Sequence, residues 1–188
     1  MTRKIATCMN LALLVFASGS YAATVEADST MVIVSAVESS WKDSGVKLRK
    51  GDLVSVKVVG GAWSISKSNY GNYPYTKGSG IDWSYLQGRD PAWRTYTWAM
   101  QGARPGALIA RCGSNLVEIG AGKSWVSNYD GELFLLCNDA KRGYADNDGT
   151  LKVSVTGGTN EKAAALQQQR KQEVEAFQER LKRRQSGQ

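Results

Sequence analysis

Two short polar stretches in the last third of the chain carry most of its capacity for chemistry. Asn138-Asp139 closes one apolar segment and Asp146-Asn147-Asp148-Gly149 opens the next, which places three carboxylates and two side-chain amides within eleven residues. Hard cations such as calcium take six to eight oxygen ligands from carboxylates, amides and backbone carbonyls on a loop that can fold around them. The composition meets that demand. It also suits an ordinary turn, because Asp and Asn side chains bond their own backbone and Gly tolerates a tight reversal. Spacing alone leaves both readings open.

Other chemistries are narrowed by what the chain lacks. It has no histidine, so a Ser-His-Asp triad, a Cys-His pair and a His-ligated zinc site are excluded. The cysteines, Cys8, Cys112 and Cys137, show no C-x-x-C spacing, which argues against a zinc ribbon or a dithiol redox centre. A glycoside hydrolase needs two carboxylates at a set separation across a cleft. Asp82, Asp90 and Glu118 are available, but nothing in the sequence pairs them, and no catalytic residue is expected.

A second concentration of functional residue types lies between Trp63 and Trp98, where nine aromatic side chains are set among Gly, Ser, Asn and Asp. Part of this set serves as secondary core over the body of the protein. The remainder suits a sugar surface, because ring C–H groups stack on aromatic faces while hydroxyls need polar partners. Tyr75 and Trp93 are the candidate ring contacts. The stretch from Lys67 to Pro105 shows no clean periodicity and is long for a connection, which is where function tends to concentrate.

The elements that must position these residues are strands. Val32 and Val34 oppose Ile33 and Val37, and Val54, Val56 and Val58 oppose Ser55 and Lys57. The same period of two runs through Leu108 to Cys112, Leu116 to Ile119, Glu132 to Cys137 and Leu151 to Thr156, with Gly51-Asp52, Asp130-Gly131 and Asp148-Gly149 as turn signals. Many short strands without intervening helices predict an all-β fold, an antiparallel β-sandwich.

Arg3 and Lys4 precede an apolar run from Leu11 to Ala17 and then small residues up to Ala22, the pattern of a secretory signal cut near Ala22 or Ala23. Residues 1–22 are therefore read as an export signal, 23–158 as the sandwich and 159–188 as a C-terminal helical tail. Export, to the periplasm or beyond the cell, would permit oxidation. Cys112 and Cys137 share inward positions on their strands, so a disulfide between them is expected; the alternative is two separate buried thiols. After Gly157-Gly158 the composition turns to Ala, Gln, Glu, Lys and Arg, with Thr159 or Asn160 as a helix cap. Val174, Phe177 and Leu181 recur at helical spacing, which suits a solvated tail, a weak coiled coil joining copies of the chain, a docking helix for a protein partner or, behind these, a basic membrane-surface helix.

The chain has 24 basic and 17 acidic side chains, and the tail from Glu161 carries seven of the former and four of the latter. The body is thus nearly balanced, without a basic stripe, and nucleic acid is not an expected partner. No membrane-length apolar run follows the signal.

The order of these motifs resembles the PA-IL-like calcium-dependent galactose-binding bacterial lectins. The likeness rests on Gly51-Asp52 opening a strand that ends in a Gly-rich turn before Trp63, on Gly106-Ala107-Leu108-Ile109, on Gly131-Glu132-Leu133-Phe134-Leu135 leading to Asn138-Asp139, and on Asp146-Asn147 before Gly149 and the alternating Leu151, Val153 and Val155. It spans Met31 to Thr156 and is poor from Lys67 to Pro105. The resemblance implies a galactose-binding, jelly-roll-like sandwich holding one calcium ion. Its ligands here would be the side chains of Asp139, Asp146 and Asn147 and the carbonyls of Gly143 and of a residue near Ser66. Two sugar hydroxyls would complete the coordination while Asp139 and Asp146 accept hydrogen bonds from them. Galactose-recognising members use a histidine and a glutamine from the loop before Gly106, and this chain has no histidine. Asp146 also replaces an amide, adding negative charge that Lys141 and Arg142 could offset. The expected function is an exported, non-catalytic carbohydrate-binding protein; the alternative is an exported interaction protein engaging a protein partner through the aromatic stretch and the tail helix.

Overall fold

The computed structural model describes residues 29–67, 73–159 and 161–186. The predicted export signal, Tyr70 and the alternative cap Asn160 lie outside the described residues.

Eight strands form two antiparallel four-stranded sheets packed as a sandwich. One sheet is ordered β1-β8-β3-β6 and comprises Ser29–Ser35 (β1), Asp148–Thr156 (β8), Leu53–Ser64 (β3) and Gly122–Val126 (β6). The other is ordered β2-β7-β4-β5 and comprises Lys42–Leu48, Gly131–Cys137, Leu108–Cys112 and Asn115–Glu118. The alternation in the sequence sets which faces meet. Val32, Val34, Val54, Val56, Leu151 and Val153 point inward from the first sheet, and Val46, Leu48, Leu108, Leu133 and Leu135 from the second. Removing this apolar surface from water is the main stabilising contribution, about 25 cal/mol for each Å² buried.

Four features depart from the sequence reading. The Gly-rich segment before Trp63 is no turn: β3 runs through Gly60-Gly61, and the register with β8 slips between Val58 and Gly60. Gly61 has φ 80°, and a Cβ there would lie 2.2 Å from the Thr150 carbonyl oxygen, so only glycine fits this bulge. Strand β2 was not visible in the sequence because the inward Ser44, Val46 and Leu48 include one polar residue and Gly45 bends the strand at a register shift. Strand β6 is a largely exposed edge whose Trp125 is half-buried. The excursion between β3 and β4 contains a helix α1 (Trp83–Arg89) and a 3-10 turn (Pro91–Thr95), although no helix was expected there.

The expected disulfide is absent; Cys112 and Cys137 are both buried free thiols. Their inward orientation was read correctly, but their separation was not. Strands β4 and β7 are antiparallel, with Leu108 opposite Cys137 and Cys112 opposite Leu133. The two cysteines thus sit at opposite ends of the strand pair, about 13 Å apart at the usual rise per residue, beyond the 7 Å that a bridge tolerates between Cα atoms.

Beyond the sandwich, helix α2 (Glu161–Ser186) follows a bridge between Lys47 and Thr159. Val174, Phe177 and Leu181 are exposed on it. No helix among the described residues is long and apolar enough to cross a membrane.

Candidate functional site

Three segments that are distant in sequence converge at one end of the sandwich. The chain leaving β3 is tied to the connection between β7 and β8: the Lys67 N–H donates to the Asp146 carbonyl at 2.9 Å, and the Ser66 hydroxyl donates to Asp146 Oδ2 at 2.9 Å. The end of the long excursion is tied to the same connection from the other side. Trp98 bridges Ala140, and Lys141 and Ala99 donate their N–H groups to the carbonyls of Thr97 and Asp139, each at 3.1 Å. Asn138 is fully buried and acts as a brace: its Oδ1 accepts from the Met100 N–H at 2.9 Å, and its Nδ2 donates to the carbonyls of Ala103 at 3.0 Å and Arg104 at 3.1 Å. Trp63 adds a tie from the core, its indole N–H donating to the Gly106 carbonyl at 2.8 Å.

Between these segments lies a cavity of about 700 Å³. Ser66, Asp139, Gly143 and Asp146 line it together with Tyr73, Asp90, Tyr96, Trp98, Lys141 and Arg142. Four of the residues implicated by the sequence are thus brought to one cavity. Asn147, the fifth, is buried beside it, its Nδ2 donating to the Ala36 carbonyl at 2.9 Å.

The electrostatics of this group are unusual. Asp139 is 4% exposed; its Oδ1 accepts the Ala140 N–H at 2.6 Å, while its Oδ2 is buried with no donor in hydrogen-bond geometry, the Asn147 amide being near enough only to favour the charged carboxyl. Asn147 Oδ1 is buried and unpartnered as well. Such orphaned acceptors cost free energy, about 1–3 kcal/mol each and more when charged. The backbone of Gly143 lies against the Asp139 carboxylate so closely that a Cβ would stand 2.8 Å from Oδ1. Burial pushes the Asp139 pKa up to about 7; the Asn147 side chain and the Ala140 N–H pull it back, and the nearby Asp146 charge adds to the rise. At neutral pH the carboxyl therefore sits between two needs, a proton or a cation.

The donor set fits a hard cation by its chemistry. Two carboxylates and the Asn147 amide oxygen supply side-chain ligands. The Gly143 carbonyl accepts one N–H, from Asp146 at 3.3 Å, and retains a second lone pair; the Ser66 carbonyl accepts the Tyr73 N–H at 3.3 Å and the Ser64 hydroxyl at 3.2 Å. Among the described residues no cluster of three or more His, Cys, Asp or Glu side chains forms a metal site. The charge comes from two carboxylates and the rest from neutral oxygens, which calcium accepts and softer metals do not favour.

The two ring contacts expected from the sequence are not part of this cavity. Tyr75 is exposed and its hydroxyl donates to Asp148, which also pairs with Lys67 at 3.5 Å. Trp93 lies 5.0 Å from the Trp83 ring and under the Arg94 guanidinium at 5.1 Å, lining a smaller hollow behind Tyr96 and Trp98. The aromatic wall is made instead by Tyr73, Tyr96 and Trp98. Sequence reasoning placed these in the right stretch but could not choose among them, because the choice is made by the long-range pairing of Trp98 with Ala140. Of the three carboxylates considered for hydrolysis, Asp82 lies 3.9 Å from Arg104 and Glu118 accepts the Arg104 N–H at 3.4 Å. Only Asp90 reaches the cavity, and both its oxygens are engaged, by the Ala92 N–H at 2.9 Å and the Tyr96 hydroxyl at 2.7 Å.

No protein-family model matches the chain, and no curated protein matches it. A solved structure described as "EclA N-terminal domain; PllA-like lectin" is similar, with a TM-score of 0.50 and 24% identity over 68% of this chain and 94% of that one. The likeness establishes that this chain has the sandwich fold of that lectin domain.

Proposed function

We propose that this chain is an exported, non-catalytic protein that binds carbohydrate through a calcium ion held by Asp139, Asp146 and Asn147, with the carbonyls of Gly143 and Ser66. The observation that carries this reading is the pair of buried oxygens without donors, Asp139 Oδ2 and Asn147 Oδ1, beside a cavity with two carboxylates. A cation would satisfy both at once. The cavity volume of about 700 Å³ accommodates a sugar ring, and the shared fold with a lectin domain points the same way. When bound, calcium polarises sugar hydroxyls and turns weak neutral contacts into charge-assisted ones. The protein's own part is to hold that ion, to accept hydroxyl protons on Asp139 and Asp146, and to present the Tyr96 and Trp98 rings to the C–H face of the sugar.

Calorimetric titration with calcium, followed by glycan-array screening with and without chelator, tests the reading. Calcium binding and chelator-sensitive glycan capture are expected. A protein that binds neither would instead favour a protein-binding role through the aromatic stretch and the exposed Val174, Phe177 and Leu181 on α2.

A further inference from the structure

The cations on the cavity rim are not accounted for by calcium and a neutral sugar. Lys141 and Arg142 line the cavity beside Asp139 and Asp146, and both are solvent-exposed. Neither forms an ion pair among the described residues. The carboxylates do not turn to them, because Asp146 Oδ2 accepts the Ser66 hydroxyl, Asp139 Oδ1 accepts the Ala140 N–H, and Asp90 is held by Tyr96 and Ala92. The Lys141 N–H donates to the Thr97 carbonyl at 3.1 Å, which fixes its backbone beside the Trp98 end of the wall, and the residue lines the cavity. The cavity alone carries three carboxylates against two cations, a net negative charge that would repel an anionic ligand. A divalent ion reverses that sign and leaves one positive charge in excess.

We infer that the ligand is an acidic sugar, a uronic acid unit whose ring hydroxyls meet the calcium ion and whose carboxylate meets Lys141 and Arg142. This inference rests on the calcium reading above. A guanidinium matches a carboxylate in a two-pronged arrangement and an ammonium supplies a mobile point charge. The pairing explains why both cations stand free of the neighbouring aspartates. Calcium would then act twice, as a ligand for hydroxyls and as the charge that admits the anion.

The test uses the full mature chain in millimolar calcium and compares sodium galacturonate and glucuronate with their methyl esters, ligands that share a ring and differ in one charge. Calorimetry should show at least one acid binding about tenfold more tightly than its ester, as a charge-assisted contact warrants, with the difference shrinking as salt rises. Lys141→Ala with Arg142→Ala should erase the preference. The same variant should keep its calcium-induced rise in melting temperature, since removing positive charge favours calcium. Acid and ester binding equally, an acid preference that survives the double variant, or no binding of either by a protein that responds to calcium would each overturn the acidic ligand and leave the calcium site standing. A melting temperature indifferent to calcium would overturn the calcium reading, and the inference with it.

Discussion

Asp139 and Asp148 lie nine positions apart on the same connection and its adjoining strand, yet the fold gives them opposite surroundings. Asp139 is sealed from water with one oxygen unpartnered, and its carboxyl is pushed up to about 7. Asp148 is half-exposed, accepts the Tyr75 hydroxyl and pairs with Lys67, and its carboxyl is held below the usual range, first by Tyr75 and then by the Lys67 charge. The contrast separates carboxylates that stabilise the protein as they stand from one that is costly until a proton or a metal arrives. A count of acidic residues could not make that distinction, whereas the orphaned oxygen does.

The contrast has consequences of graded size. The largest concerns pH in the absence of metal. Asp139 has a folded pKa above its unfolded value, so the folded state retains a proton that the unfolded chain has released. Its contribution is present below about pH 4 and is lost as pH rises through about 7. The shift corresponds to about 4 kcal/mol at most. Chemical denaturation in chelator should show stability falling across that window, and Asp139→Asn should flatten the fall while Asp148→Asn leaves it in place. A wild-type profile that rises steadily from pH 4 to pH 7 would break the comparison.

Next in size is the effect of calcium itself. A cation that binds only the folded form stabilises it in proportion to the logarithm of its concentration over Kd. For a site of roughly 0.1–1 mM affinity, a few millimolar calcium gives about 1–2 kcal/mol. Asp139→Ala and Asp146→Ala should each abolish the calcium-induced rise in melting temperature, and Asp148→Ala should preserve it. Magnesium should substitute poorly because it requires a tighter octahedral shell. Equal losses in all three variants would mean that the two surroundings are electrostatically one.

Gly143→Ala sharpens the comparison by acting on one side alone. The added methyl would stand 2.8 Å from Asp139 Oδ1, forcing the buried carboxylate to move at a cost of about 1 kcal/mol. Calcium affinity should drop with it, as titration calorimetry would show. The smallest effect belongs to Tyr75→Phe. It should let the Asp148 pKa return toward the ordinary carboxylate range in an NMR titration, with melting temperature and calcium response unchanged.

Much of this arrangement was legible in the chain before folding. Alternation located β1, β3, β4, β5, β7 and β8, because their inward residues are aliphatic and regularly spaced. It missed β2, where Ser44 and Gly45 interrupt the pattern, and β6, whose exposed edge position removes the apolar signal. Helix α1 was illegible because Leu86 is its one buried residue and no periodicity can show in seven positions. The cysteines mark the same boundary in another way. The period of two tells which way a side chain points, but only the pairing of β4 with β7 tells how far apart two inward residues lie. At the site, Asp139, Gly143, Asp146, Asn147 and Ser66 were named through a family resemblance. Tyr96 and Trp98 required contacts that span some forty positions, such as that of Trp98 with Ala140, and local composition does not encode these.

The excursion between β3 and β4 is pinned at both ends by the same short connection, through Lys67 to Asp146 at its start and through Met100, Ala103 and Arg104 to Asn138 at its finish. Its interior is held as well, by the bridges of Thr76 to Trp63 and Ser79 to Ala107 and by the buried Ile81 and Leu86, so freedom is confined to the exposed positions around α1 and the 3-10 turn. Closing a longer loop costs only about 0.6 kcal/mol for each doubling of length, so insertions there are thermodynamically cheap. Asp139 and Asp146 belong to the part that does not change, as does Trp98 through its bridge to Ala140, whereas α1 and the 3-10 turn belong to the part that can. On the proposed reading, a scaffold divided in this way would let selectivity diversify while the ion site is kept, and it marks the exposed positions of residues 82–95 as the ones to vary when a new ligand preference is sought.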